Sequence, residues 1–373
     1  MLNVVNNPTI PAVMQPSLGQ RSADLEAAAL YQTISALPKI ELHRHLEGAV
    51  RLATLADIAR EFAFEMPDYD PESLRPFVQM MPDELRDATH FLGKFATLRQ
   101  FYRSPAVIQR IAREAVYDAA ADNIKYMELR FTPRALGTVL HAAPGDVIGW
   151  VAHAVNQAAA ECGIIVRLIT SINRHESVEV GEQVLHAAFA YAAQGVVAVD
   201  LAGKEEGYPA NLFLPLFRDA KASGFGVTIH AGEWEGAQSV WDAIGNMGAT
   251  RVGHGIRALE DPGILSIMQD FGIVLEVCPT SNVDSGVVEH LEQHPLPFLT
   301  ERGLITTINT DDPLISNITL TDELYRAAKY MGFGLDDLKQ ATLRAAEASF
   351  LPDDEKLTLV AQFRHWLYPP MAG

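Results

Sequence analysis

His43-Arg44-His45 carries two imidazoles at a spacing of two, which on an extended strand turns both rings to the same side. Such a pair is either the start of a metal site or two polar residues closing a strand. His230 and Asp311 supply a third nitrogen and an oxygen, a borderline ligand set suited to zinc with room left for water. Zinc lowers the pKa of a water that it binds to about 7, so the reaction type to expect is hydrolysis. Hydrolysis also needs a proton acceptor for the water and a donor for the leaving group. Glu233 in HAGE and His254 in VGHG are the candidates. Each has a plainer alternative: Glu233 as a carboxylate favoured at a helix start, His254 as a histidine hydrogen-bonded in a glycine-rich turn. Asp311 and Asp312 are adjacent, so on a strand end they point in different directions. One can hold metal while the other holds substrate, or the pair can cap the turn before Pro313. Glu276 reads as a charge paired inside the fold, and Cys278 as a small buried hydrophobe. His90, His153, His175, His186, His290, His294 and His365 lie mainly on expected helices or loops and read as surface residues.

The elements that must position these side chains are short β-branched runs at 40–46, 126–133, 164–172, 196–203, 226–233, 251–257, 273–280 and 305–311, separated by helical stretches such as 107–122, 146–162, 180–194, 212–223, 237–248 and 261–271. The alternation predicts a parallel α/β fold, and eight such runs predict a closed (β/α)8 TIM barrel, although an open doubly wound sheet has the same local pattern. Buried parallel strands are almost wholly apolar, so imidazoles and carboxylates at their C-terminal ends need a reason. A shared metal provides one. About eighty residues separate the first two runs, too many for one crossover helix, and 67–82 carries four prolines. Extra helices are therefore expected after the first strand, overhanging the catalytic face, and again at the C-terminus. Residues 1–24 have no regular period and are expected to be a poorly ordered leader, with 25–373 forming a single barrel domain.

The composition narrows the partners. A net charge of −18 opposes a nucleic-acid-binding surface, because phosphates would be repelled. A small neutral substrate is indifferent to that charge. Only Cys162 and Cys278 are present, which supplies neither a disulfide framework nor a CxxC zinc site. With no basic-then-apolar start and no apolar run of membrane-spanning length, a cytoplasmic protein is expected.

In order along the chain, ELHRHLEGA, DLAGKE, HAGE, VGHG, CPTSN and NTDDP resemble the motifs of the adenosine deaminase family, with MGFGLDDL and ASFLPDDEK similar to its C-terminal helices. The resemblance runs from about residue 30 to about residue 368. It implies a (β/α)8 barrel with one zinc held by His43, His45, His230 and Asp311. Glu233 would protonate the purine N1, and His254 would orient or deprotonate the attacking water. Asp312 would bond N7 and the Gly203 backbone N–H would contact N3. Phe91 and Phe95 resemble the family's apolar lid beside the ribose. Glu47 departs from the pattern, since adenosine-specific members usually have aspartate there, contacting the ribose 5′-hydroxyl. The implied reaction is deamination of adenosine, and of 2′-deoxyadenosine, to the six-oxo purine and ammonia. Glu47 keeps free adenine and aminodeoxyfutalosine open as alternative substrates.

Overall fold

The computed structural model describes residues 18–66 and 68–370. Eight strands, β1 Lys39–His45, β2 Ile124–Phe131, β3 Ile165–Asn173, β4 Val196–Ala202, β5 Gly226–Ala231, β6 Arg251–His254, β7 Val274–Val277 and β8 Ile305–Ile308, form one sheet in chain order. Every adjacent pair is parallel. The sheet curls until its edges meet just beyond β8: Arg44 bridges Asp311, the His45 N–H donates to the Asp311 carbonyl at 2.8 Å, and the Asp311 N–H donates to the His43 carbonyl at 2.9 Å. Closure therefore brings the two ends of the expected metal-ligand set side by side.

The strands stop earlier than the hydrophobic runs suggest. β5 to β8 end at Ala231, His254, Val277 and Ile308, and the chemistry-bearing residues Glu233 and Asp311 lie just beyond the ladder. His254 and Asp311 themselves have φ of 59° and 61°, a left-handed conformation uncommon for residues with a side chain. The chain turns out of the sheet at these points, which aims the side chains at the barrel axis.

Three of the helices between strands start at side-chain caps. Ser104 accepts from the Val107 N–H, Ser177 from the Val180 N–H and Asp261 from the Gly263 N–H, each satisfying a donor that the first helical turn leaves free. Pro105 and Pro262 sit in the first turn, where a missing N–H costs nothing. Their apolar faces, such as Ile108, Ile111, Ala115 and Val116, are buried against the strands. The expected helix at 237–248 is split into Ala237–Trp241 and a π-helical turn, Asp242–Asn246.

The expected helical insertion after β1 consists of Leu52–Glu61, Pro71–Val78 and Ala88–Leu98. Asp70 and Asp87 cap the last two by accepting from the Glu72 and His90 N–H groups, and Lys94 ties them together through the Pro76 carbonyl at 3.0 Å and Glu84 at 2.7 Å. At the other end of the barrel the C-terminal helices Leu335–Ala348 and Asp353–Leu367 cover the strand starts, and Leu343, Leu351, Leu359 and Phe363 pack with Ile40, Leu42 and Tyr126 in a second core. Gly226 is required there, since a Cβ would come within 2.3 Å of the Phe350 ring. A helix spans Leu18–Ala36, so the expected leader is too long: its residues from 18 on are helical, and residues 1–17 lie outside the described residues. None of the described helices is long and apolar enough to cross a membrane.

Candidate active site

At the C-terminal ends of the strands lies a cleft whose empty space, open mouth included, is about 820 Å³. His45, His230 and Asp311 line its floor, Glu47, Gly203, Glu233 and Asp312 its walls, and Phe91 and Phe95 from the inserted helix Ala88–Leu98 its roof. His43 and His254 lie buried beneath the floor.

The metal-type ligand atoms of His43, His45, His230 and Asp311 all fall within 4.8 Å of one another. Asp311 Oδ1 is 3.2 Å from His43 Nε2 and 3.3 Å from His45 Nε2, and the Nε2 atoms of His45 and His230 are 3.2 Å apart. The outer nitrogens determine what the inner ones can do. His43 Nδ1 is 2.8 Å from Glu276 Oε2 and His230 Nδ1 is 3.0 Å from Asp200 Oδ1, so each carboxylate takes an N–H and leaves the Nε2 lone pair facing inward. His43 Nε2 is buried with no hydrogen-bond partner. Three inward-facing imidazoles, one carboxylate and a buried orphan nitrogen fit a divalent cation of the zinc type. Burial also pushes the His45 imidazole well below its usual range, which keeps it in the neutral, metal-binding form.

Glu233 follows the floor residue His230 on the β5 turn, a turn held by a residue whose role was not legible in the sequence. Glu205 accepts the N–H groups of Gly232, Glu233 and Trp234 at 2.9, 2.8 and 3.0 Å. Burial, with the negative charges of Asp311 and Glu205 beside it, raises the Glu233 carboxyl well above the ordinary carboxylate range. Burial likewise raises Asp312, helped by Asp311, Glu47 and Glu233, and pushes Glu47 up to about 7. Asp311 is the exception: burial opposes its charge, but His43 beside it holds it well below the usual range. The adjacent aspartates are thus shifted in opposite directions.

Glu47 Oε1 accepts the Thr132 N–H at 2.7 Å, while Oε2 is buried without a partner, as is Asp312 Oδ1. Both face the cavity. Gly48 makes this crowding possible, because a Cβ there would stand 1.9 Å from Asp312 Oδ1.

His254 Nε2 is 3.4 Å from Glu233 Oε2 and 3.8 Å from Asp311 Oδ2. Its other nitrogen meets Asn282 at 3.1 Å, and Asn282 meets His294 at 3.2 Å. His294 is therefore no surface residue; it is 4% exposed, and the fold of the segment after β7 draws it inward. His175 stays exposed but lines the cavity mouth with Arg99, Lys204 and Trp234, none of which the sequence singled out. Glu276 is paired inside the barrel as expected, with Arg130 at 2.5 Å and Arg251 at 2.6 Å, yet it also orients His43. Cys278 is fully buried, its Sγ 3.5 Å from the Glu276 carbonyl.

The model of the family described as adenosine deaminase matches residues 38–366. The chain belongs to the adenosine deaminase family. An adenosine deaminase from Klebsiella pneumoniae is 36% identical over 327 residues, covering 87% of this chain and 97% of that protein. Among solved structures, an adenine deaminase from Arthrobacter aurescens superposes with a TM-score of 0.82 at 26% identity, covering 89% of this chain and 99% of that one. An amidohydrolase from Burkholderia ambifaria with bound zinc superposes with a TM-score of 0.80 at 26% identity, covering 96% of each chain. Family membership makes the chain a metal-dependent hydrolytic deaminase, and the six motifs that carry the resemblance all contribute residues to the floor and walls of one cleft or to the partners that hold them.

Proposed function

We propose that the chain hydrolyses the six-amino group of adenosine and 2′-deoxyadenosine, giving the six-oxo purine and ammonia. The observation that carries the reading is the meeting of His43, His45, His230 and Asp311 with Glu233, whose carboxyl burial and acidic neighbours raise, and with His254 at the base of one cleft. His43, His45, His230 and Asp311 hold one zinc, which when bound lowers the pKa of a water to about 7 and so supplies the nucleophile.

The remaining work belongs to the chain's own groups. Glu233, its carboxyl raised by burial and by Asp311 and Glu205, donates to N1, which draws electron density from C6 and opens it to attack. Asp312 is likewise raised by burial and its acidic neighbours. A protonated carboxyl is the form needed to donate to N7, which is only an acceptor. The Gly203 N–H serves N3, and His254 meets the attacking water. Phe91 and Phe95 exclude solvent above the ring, and the free Oε2 of Glu47 is available to a sugar hydroxyl.

Adenosine is supported by the adenosine deaminases that match along almost their whole length. Free adenine is the second reading, supported by Glu47 standing where adenosine-specific members usually have aspartate and by the adenine deaminase among the similar structures. Ammonia release from adenosine, 2′-deoxyadenosine, adenine and aminodeoxyfutalosine, compared as kcat/KM, tests the proposal. The highest value is expected with adenosine, and a preference for either of the last two would replace it. Elemental analysis of the active protein is expected to give about one zinc per chain.

A further inference from the structure

His254 faces the reacting centre with one nitrogen, and whether that nitrogen carries a proton decides what it can do there. A bare Nε2 can take a proton from water. An Nε2–H can only donate a hydrogen bond to the water's oxygen. The answer is set more than forty residues away in sequence, at a backbone amide whose polarity allows no choice.

The Leu296 N–H donates to His294 Nδ1 at 3.0 Å. A backbone N–H is always a donor, so Nδ1 must be the bare nitrogen of that ring. His294 is neutral, because burial holds its pKa down to about 3. A neutral imidazole with a bare Nδ1 carries its proton on Nε2. That Nε2–H lies 3.2 Å from Asn282, and the atom receiving it must be the amide oxygen, Oδ1. The amide nitrogen then points the other way, its Nδ2 at 3.1 Å from His254 Nδ1. An amide NH2 is only a donor, so His254 Nδ1 accepts, and the proton of its neutral ring sits on Nε2. Each step has one permitted polarity. His294, Asn282 and the two ends of the chain, Leu296 and His254, are all buried, which protects the sequence of bonds from exchange with water.

We infer that His294 and Asn282 are positioning residues that lock His254 in the Nε2–H form, making it a hydrogen-bond donor to the oxygen of the attacking water and not the base that deprotonates it. The inference rests on the hydrolytic reading of this site. It follows that the proton lost by the water goes to an oxygen facing the same space. Glu233 Oε2, at 3.4 Å from His254 Nε2, is free to take it once Glu233 has given its own proton to N1. The donor on His254 stays in place throughout and faces the negative charge that develops on the oxygen.

The direct test needs no substrate. Long-range 1H–15N correlation spectra of the zinc-loaded enzyme with labelled histidine assign the tautomer of each ring. The expected result is Nε2–H with bare Nδ1 at both His254 and His294, and an Nδ1–H at either ring in the wild-type protein overturns the inference. Kinetics give the second reading. His294→Leu breaks the chain at its middle and is expected to lower kcat by roughly tenfold or more with little change in KM, the size of effect seen when partners that orient site residues are lost. His294→Gln, which can still accept from Leu296 and donate to Asn282, is expected to recover most of that loss. Equal kcat in the Leu, Gln and wild-type enzymes overturns the positioning role. If His294→Leu fails to fold, the wild-type spectrum still decides. A wild-type enzyme that releases no ammonia from any of the purines refutes the hydrolytic reading instead, whatever the tautomers prove to be.

Discussion

The barrel holds two layers of buried charge, one within the strands beneath the cleft and one at their C-terminal ends, and they are matched differently. In the lower layer, Arg251 meets Glu128 and Glu276 at 2.6 Å each, and Arg130 meets Glu276 at 2.5 Å and Asp200 at 3.5 Å. Burial opposes the Glu276 charge, yet Arg130 and Arg251 hold it well below the usual range. In the upper layer, Glu47, Glu233, Asp311 and Asp312 crowd one cleft, and three of the four are raised above the ordinary carboxylate range. Charge that is matched by charge keeps its ordinary form and supports structure. Carboxyls that are crowded are raised toward their protonated form, which suits them to proton transfer. The layers are also joined: Glu276 and Asp200 belong to the lower one and orient His43 and His230 of the upper one.

The largest effect expected from this contrast is on turnover. Glu233→Gln should keep zinc and lower kcat by about 10²–10⁴-fold, because the amide fills the same space without a transferable proton. The sign for stability is opposite. A carboxyl raised in the folded state costs that state stability as pH climbs from the ordinary carboxylate value toward the raised one, so the metal-free variant should melt no lower than metal-free wild type at pH 7–8. Thermal melts and ammonia release on the same preparation check both. A lower melting temperature with normal turnover would put Glu233 in the structural layer.

Arg251→Met is the complementary break. It leaves Glu128 without a close cation and Glu276 with Arg130 alone, and should cost about 3–5 kcal/mol of stability, seen in denaturant unfolding. Well below its melting temperature, kcat/KM should fall by less than about tenfold, since only the support of His43 through Glu276 is touched. A loss as large as that of Glu233→Gln, with stability intact, would erase the distinction between the layers.

Gly48→Ala sharpens the picture of the cleft. Its Cβ would displace the Asp312 carboxyl, which lies 1.9 Å from that position. A displacement of this order should cost on the order of 10² in kcat/KM without loss of zinc. Unchanged kinetics would remove Asp312 from the purine's partners.

Glu47→Ala is expected to have the most specific effect. If Oε2 holds the 5′-hydroxyl, about ten- to two-hundredfold should be lost on adenosine, and the preference for adenosine over 5′-deoxyadenosine should vanish. Equal losses on both substrates, with a lower melting temperature, would mean that Glu47 only supports the loop through Thr132.

Much of this was legible in the residues alone. The eight β-branched runs correspond to the eight strands, because apolar strands and amphipathic helices announce themselves through local period. The four residues of the metal-type cluster were legible because imidazoles and carboxylates at the ends of apolar strands have few other reasons to be there. Strand ends were overread at Glu233 and Asp311, where the chain leaves the ladder to aim a side chain and the sequence still looks extended. Nothing near His294 in sequence marks burial, so it looks like a surface residue there; the packing of the segment after β7 buries it against Asn282.

The sequence by itself determined which chemical groups the protein owns and in what order the barrel presents them. The tertiary structure decided their protonation and direction. Glu205 grips the Glu233 turn, Glu276 and Asp200 turn two imidazoles inward, and Asn282 turns a third. Those partners come from strands and loops far apart in the chain, so local sequence carries no trace of the pairing. A carboxyl's pKa depends on burial and on the charges within a few ångströms, and both exist only once β8 has closed against β1.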